Sequence, residues 1–179
     1  KNLYRLLENL LQWSRLQRGV IEFNPVEFEI SLLVSQNFDL LHNVAKDKNI
    51  SLISNVPDNL IVYADLNMIN TVIRNLLTNA IKFTNCGGKI ELNASLSDDN
   101  FVKIEVKDNG IGMSENFVKN VFKIDAVKST PGTNNEQGTG LGLILCKDFV
   151  EKNNGTITVE SKLGEGTTFT ILLPASNSQ

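Results

Sequence analysis

The chain has 179 residues, 41% of them hydrophobic and 21% charged, which suits one compact domain long enough to bury a core, with at most a small appendage. Its net charge of −3 excludes the broad basic surface that tracks a nucleic-acid backbone. Two cysteines, Cys86 and Cys146, are too few for a disulfide scaffold and are not spaced as metal ligands, while no apolar run approaches the roughly 20 residues that cross a bilayer. They read as free thiols in a soluble, cytoplasmic domain. The chain opens on Lys1 with no secretory signal, so it is expected to be a piece of a longer protein.

Residues 1–18, "KNLYRLLENLLQWSRLQR", place Leu3, Leu6, Leu7, Leu10, Leu11, Trp13 and Leu16 on a broad apolar helix face. Such a face suits one member of a helical bundle whose other members lie elsewhere. Gly19 ends this helix and Pro25 marks the connection to the next segment. From about residue 26 short strands and helices mix. "VEFEI" is a strand, and residues 31–48 are a helix with Leu33, Phe38, Leu41 and Val44 near one face. "ISLISNV" and "LIVYAD" are strands around the turn "PDN", and Asp65 caps a helix running to about Phe83. "GGKIELNASL" and "FVKIEVKD" form a hairpin around "SDDN". A short helix comes next, near 115–121, then a polar loop over 123–137 of the length that is usually functional. A helix from about 140 to 153 and the strands "GTITVES" and "GTTFTILLP" close the chain. The expected fold is α+β, a two-layer sandwich whose mixed, mostly antiparallel sheet is covered by helices on one face.

Four stretches carry possible chemistry. In "NLLTNAIKFT", Asn75 and Asn79 share one helix face and Lys82 lies three residues on. An amide oxygen can ligate a hard cation such as Mg²⁺, and a lysine can meet phosphates; a solvated polar stripe has the same pattern. In "DNGIGM", Asp108 at a strand end can accept a hydrogen bond from an exocyclic amine, and Gly110 and Gly112 admit a flat ring, or simply make a turn. In "GTGLGL", Gly138, Thr139, Gly140, Leu141 and Gly142 enter a helix, where bared N–H groups and the helix dipole favour a phosphate. In "GEGTTF", most economically a hairpin turn, the Thr168 hydroxyl is the one singled out to face a ligand. The fingerprints GxGxxG and GxxxxGK[ST] are missing, and one histidine supports no Ser/His/Asp set.

In this order the four stretches resemble the N, G1, G2 and G3 boxes of the ATP-binding domain of bacterial sensor histidine kinases, in the superfamily shared with gyrase, Hsp90 and MutL. The resemblance covers residues 26–174, taken as one catalytic domain over 26–179. Residues 1–25 resemble the second helix and linker of a dimerisation and phosphoacceptor hairpin, and "VFKIDAVKSTPGTNNEQGTGLGL" is similar to the variant in hybrid two-component sensors of Bacteroides-like bacteria. The resemblance implies ATP and Mg²⁺ as ligands. Asn79 would hold Mg²⁺, Asn75 would stand beside the phosphates and Lys82 would contact them. Asp108 would receive the adenine N6 amine beside Gly110 and Gly112. Gly138, Gly140, Leu141 and Gly142 would offer amides to the β- and γ-phosphates, residues 123–139 would be the ATP lid, and Phe117 and Phe122 would stand near the F box. It also implies a homodimeric, membrane-anchored full-length kinase and a receiver domain as the next acceptor.

Two departures sharpen this expectation. ATP-hydrolysing relatives carry a glutamate where this chain has Asn75, and an amide cannot take a proton from water. The acceptor histidine belongs to the missing first hairpin helix; His42, the one histidine here, reads as a helix-surface residue. The rival readings are a hydrolytic clamp of the gyrase or Hsp90 type, against which Asn75 argues, and a non-catalytic nucleotide-sensing or association module, against which Asn79, Asp108 and the glycines argue.

Overall fold

The structure, a computed structural model, describes residues 22–97, 99–123, 131–134, 136 and 140–176. The helix expected over 1–18, with Gly19, lies outside the described residues, as do Gly138 and Thr139. In chain order the elements are β1 (Pro25–Glu29), α1 (Ile30–Asp47), β2 (Ser51–Asn55), β3 (Ile61–Asp65), α2 (Leu66–Phe83), β4 (Lys89–Leu96), β5 (Phe101–Asp108), α3 (Glu115–Val118), α4 (Gly142–Lys152), β6 (Thr156–Lys162) and β7 (Gly166–Pro174).

Five strands form a sheet in the order β2-β4-β5-β7-β6. β2 runs parallel to β4, and the other neighbours are antiparallel. The two strands flanking "PDN" do not pair with each other. β3 is taken instead by β1 in a separate two-stranded ribbon, tied to the end of the main sheet by the Val62–Ala175 bridge. Period-two alternation puts Ile90 and Leu92, Val102, Ile104 and Val106, and Phe169, Ile171 and Leu173 on the buried face, while Glu91, Lys103, Glu105 and Thr170 on the other remain partly exposed.

The helix layer covers the buried face, and α2 packs against both α1 and α4. Its Ile69, Ile73, Leu76 and Leu77 are wholly buried. On α1 the buried stripe is Ile30, Leu33, Val34, Asn37, Leu41 and Ala45. Val44, expected on that face, is exposed, because the stripe advances in steps of three and four residues and reaches Ala45 instead. The buried Asn37 amide bridges the helices, donating to the Leu33 carbonyl at 2.9 Å and to Asn70 Oδ1 at 2.8 Å.

The start of α2 is fixed by Asp65, whose Oδ1 accepts the Asn67 and Met68 N–H groups at 3.1 and 3.0 Å. The Asp65 N–H donates to Asn153 Oδ1 at 2.6 Å, tying this cap to the end of α4. With its beginning pinned in this way, α2 carries its C-terminal half to a fixed place beside the end of β5.

Candidate functional site

Asn75, Asn79 and Lys82 succeed one another along the second half of α2. Asn75 faces α4: a Cβ on Gly142 would stand 3.8 Å from its amide. One turn further along α4, burial pushes the Cys146 thiol up to about 12, opposed by the Asn75 side chain. Apart from the Cys146 sulfur, Asn75 Nδ2 is buried without a hydrogen-bond partner among the described residues. A buried donor left open in this way suits an acceptor supplied from outside the chain. Asn79 is half-buried one turn beyond Asn75. Lys82 is buried along its stem and holds its ammonium 4.6 Å from the centroid of the Phe83 ring; burial lowers its pKa and Glu136 opposes that shift.

The 108–112 loop docks on the end of the same helix. The Ile111 N–H donates to the Phe83 carbonyl at 3.0 Å. Gly110 is required by contact: a Cβ there would lie 2.2 Å from the Phe83 carbonyl oxygen. Gly112 has φ +64°, and a Cβ would meet the Lys162 carbonyl oxygen at 2.0 Å. What both glycines admit at their Cβ positions is therefore the protein's own backbone, which locks Asp108 beside α2. Asp108 is buried; burial raises its pKa, against the opposing N–H bonds of Gly110, at 2.8 Å, and Thr167. A carboxylate so held keeps acceptor capacity for one more donor.

Thr168 is not brought to this group. It sits opposite Lys107 and Glu160, on the partly exposed face of the sheet, because side chains alternate along β7. Thr167 is the neighbour of Asp108; it is buried, and its hydroxyl is 2.8 Å from Ser161 Oγ, which accepts the Met113 N–H at 2.8 Å. The signal was present in "TTFTILL": the inward Phe169, Ile171 and Leu173 put residue 167, not 168, on their face. Phe122 packs edge-on against Phe169 at 6.4 Å between centroids, whereas Phe117 is exposed. Gly140 has φ +72°, and Leu141, whose side chain makes no capping bond, precedes α4, which Gly142 begins. The α4 N-terminus thus abuts Asn75, and its first-turn N–H groups receive no cap from the Leu141 side chain.

Lys48, Thr133 and Glu136, which no motif singled out, also reach the end of α2. The Lys48 ammonium donates to Glu136 Oε1 at 2.9 Å, and the Thr133 N–H to the Lys82 carbonyl at 3.0 Å. Burial works against the Glu136 carboxylate, but the bonds from Lys48 and from backbone N–H groups outweigh it and hold its pKa below the usual range. Among the described residues no three His, Cys, Asp or Glu side chains gather as a metal-binding group. A single amide oxygen such as that of Asn79 fits Mg²⁺ that arrives with phosphate and water ligands, the usual way this ion is held. His42 is exposed on α1, away from these groups in sequence and element.

Residues 64–177 match the family described as histidine kinase-, DNA gyrase B-, and HSP90-like ATPase. The sensor histidine kinase TmoS of Ectopseudomonas mendocina is 38% identical over 146 residues, 82% of this chain and 15% of its own length. Among solved structures, full-length ShkA in complex with AMPPNP superposes with a TM-score of 0.82 at 27% identity, over 97% of this chain and 36% of that one. The catalytic domain of the histidine kinase ThkA gives 0.72 at 28% identity, over 86% of this chain and 96% of that domain. The chain thus spans about one seventh of TmoS and nearly the whole of the isolated ThkA domain.

Proposed function

The chain belongs to the histidine kinase-, DNA gyrase B- and HSP90-like ATPase family, with the fold of sensor histidine kinase catalytic domains, and from that premise we propose that it binds Mg²⁺-ATP and passes the γ-phosphate to a histidine outside this chain. The observation that carries the reading is the meeting of two further stretches on the helix that bears Asn75, Asn79 and Lys82. The 108–112 loop caps α2, and the α4 N-terminus stands against Asn75.

In this reading Asp108 accepts the adenine N6 amine, supported by its buried, strand-end position and its remaining acceptor capacity. Gly110 and Gly112 serve by fixing that carboxylate. Gly140, Leu141 and Gly142, with Gly138 and Thr139, offer backbone N–H groups to the phosphates, where the dipole of α4 favours negative charge. Lys82 neutralises phosphate charge. Asn79 holds Mg²⁺, which when bound draws charge from the phosphate oxygens, and Asn75 donates its open N–H beside them. The acceptor imidazole brings its own lone pair: its nitrogen bonds to the γ-phosphorus as the β,γ-bridging P–O bond breaks, leaving phosphohistidine and ADP. Such a transfer needs positioning and charge neutralisation more than a base, in keeping with Asn75.

The same reading makes residues 1–25 the end of a dimerisation hairpin, 26–179 the catalytic domain and 123–139 its lid. The acceptor histidine then lies on the hairpin's other helix, in a homodimeric, membrane-anchored kinase that passes the phosphate on to a receiver domain. No helix among the described residues is long and apolar enough to cross a membrane. Calorimetric titration with ATP, with and without Mg²⁺, tests the premise: Mg²⁺-dependent binding lost in Asn79→Ala is expected, and no binding of ATP or ADP would leave a non-catalytic module.

A further inference from the structure

The last four carbonyls of a helix need partners from outside it, and those of α2 draw theirs from separate parts of the chain. Ala80 accepts the Thr84 N–H at 2.9 Å and Phe83 that of Ile111 at 3.0 Å. Ile81 and Lys82 accept from the Lys48 ammonium at 2.8 and 3.3 Å, and Lys82 also accepts the Thr133 N–H at 3.0 Å. Lys48 comes from the end of α1 and is 4% exposed. A buried ammonium persists only where it is paired and bonded, and this one also donates to Thr133 Oγ1 at 2.6 Å and Glu136 Oε1 at 2.9 Å.

Thr133 and Glu136 belong to a small closed turn. The Gly132 N–H donates to the Glu136 carbonyl at 2.8 Å and the Asn134 N–H to Glu136 Oε2 at 2.7 Å. The turn lies on the stem of Lys82: a Cβ on Gly132 would be 2.5 Å from Lys82 Cγ. Residues 132–134 and Glu136 are therefore held to the same helix end that carries Lys82, and the buried cation of α1 holds them there.

We propose that Lys48 is a positioning residue for nucleotide: through Thr133 and Glu136 it latches the root of the lid, residues 131–134 and 136, onto the end of α2 and so holds the Lys82 side chain in place. This rests on the reading of Lys82 as a phosphate contact and extends it to a residue that touches no ligand. A contact already made before nucleotide arrives lowers the ordering cost of binding, which favours it.

The test compares the full chain with Glu136→Ala, Lys48→Met and the double variant, by Mg²⁺-ATP calorimetry and by amide exchange without nucleotide. Glu136 is partly exposed, so its removal spares the core. The proposal expects Glu136→Ala to bind roughly 3- to 10-fold more weakly, the scale of one charge-assisted bond, with faster exchange at Gly132 and Thr133 and unchanged protection at Leu76 and Leu77. In the Lys48→Met background the Glu136 change should add little, a coupling that a merely structural lysine would not give. Should Lys48→Met not fold, Thr133→Val takes its place in the cycle. Affinity equal to or tighter than wild type in Glu136→Ala, unchanged exchange at the root, or full additivity would overturn the latch. Wild-type protein that binds no Mg²⁺-ATP would overturn the nucleotide reading itself, and the latch with it.

Discussion

Asp108 shows how one residue links packing to recognition. Burial raises its pKa, so it takes up a proton at higher pH than an ordinary aspartate. Only the carboxylate accepts from an amine without donating itself, so Mg²⁺-ATP affinity should begin to fall with decreasing pH above the usual aspartate range, about 3.9. Asp108→Asn should abolish that Asp108-linked part of the decline and weaken ATP binding by about tenfold, or about 1.4 kcal/mol, with loss of preference for ATP over GTP; calorimetry across pH with both nucleotides measures all three. The effect on folding has its own sign. A raised carboxyl binds its proton more tightly in the folded state, so its contribution to stability grows as pH falls through the folded value. Glu136 runs the other way, because its lowered pKa gives stability that is present above the unfolded value and lost as pH falls through the folded one. Gly110→Ala tests the neighbouring contact. With the Phe83 carbonyl 2.2 Å from the new Cβ, the loop must move, at a cost of about 1–3 kcal/mol in thermal or denaturant unfolding. Asp108 and the glycines were legible as a motif, but the role of the glycines was not. Nothing in "DNGIGM" says that a helix end and a strand end will press against it.

Among the elements, α2 is the strut on which the candidate site is hung. Asp65 fixes its start and three outside segments satisfy its end, so the positions of Asn75, Asn79 and Lys82 depend on its packing. Leu76→Ala, at a wholly buried position between the asparagines, should cost about 2–5 kcal/mol and lower the unfolding midpoint in denaturant. On β7 the prediction is a contrast: Thr167→Val should reduce nucleotide affinity and Thr168→Val should not, because only the Thr167 side chain shares a face with Asp108, where its hydroxyl meets Ser161 Oγ. Equal loss in the two variants would restore Thr168 to the site. Most elements were readable from local signals: the Asp65 cap, the "SDDN" hairpin and the inward alternation of β4, β5 and β7. Pairing partners were not. "PDN" joins strands of the two separate sheets, and the choice of β1 for β3 and of β4 for β2 is made by long-range contacts that leave no mark in either strand alone. The Lys48 contact with residue 136 is of the same kind, across 88 positions of sequence.

At the scale of the whole molecule, the fold gathers a buried acceptor, a helix N-terminus and a lysine along the second half of one helix, while the one histidine lies exposed on α1. In the proposed reading Asn75, an amide, cannot activate water, so nucleotide binding falls to this chain and phosphate acceptance to a histidine outside it. The direct measurement is incubation with γ-labelled ATP and Mg²⁺, alone and with a dimerisation hairpin that carries its acceptor histidine. The account predicts no acid-labile label on this chain by itself and label on the hairpin when the two are mixed. Phosphohistidine on this chain alone, or steady release of labelled phosphate abolished by Asn79→Ala, would contradict it.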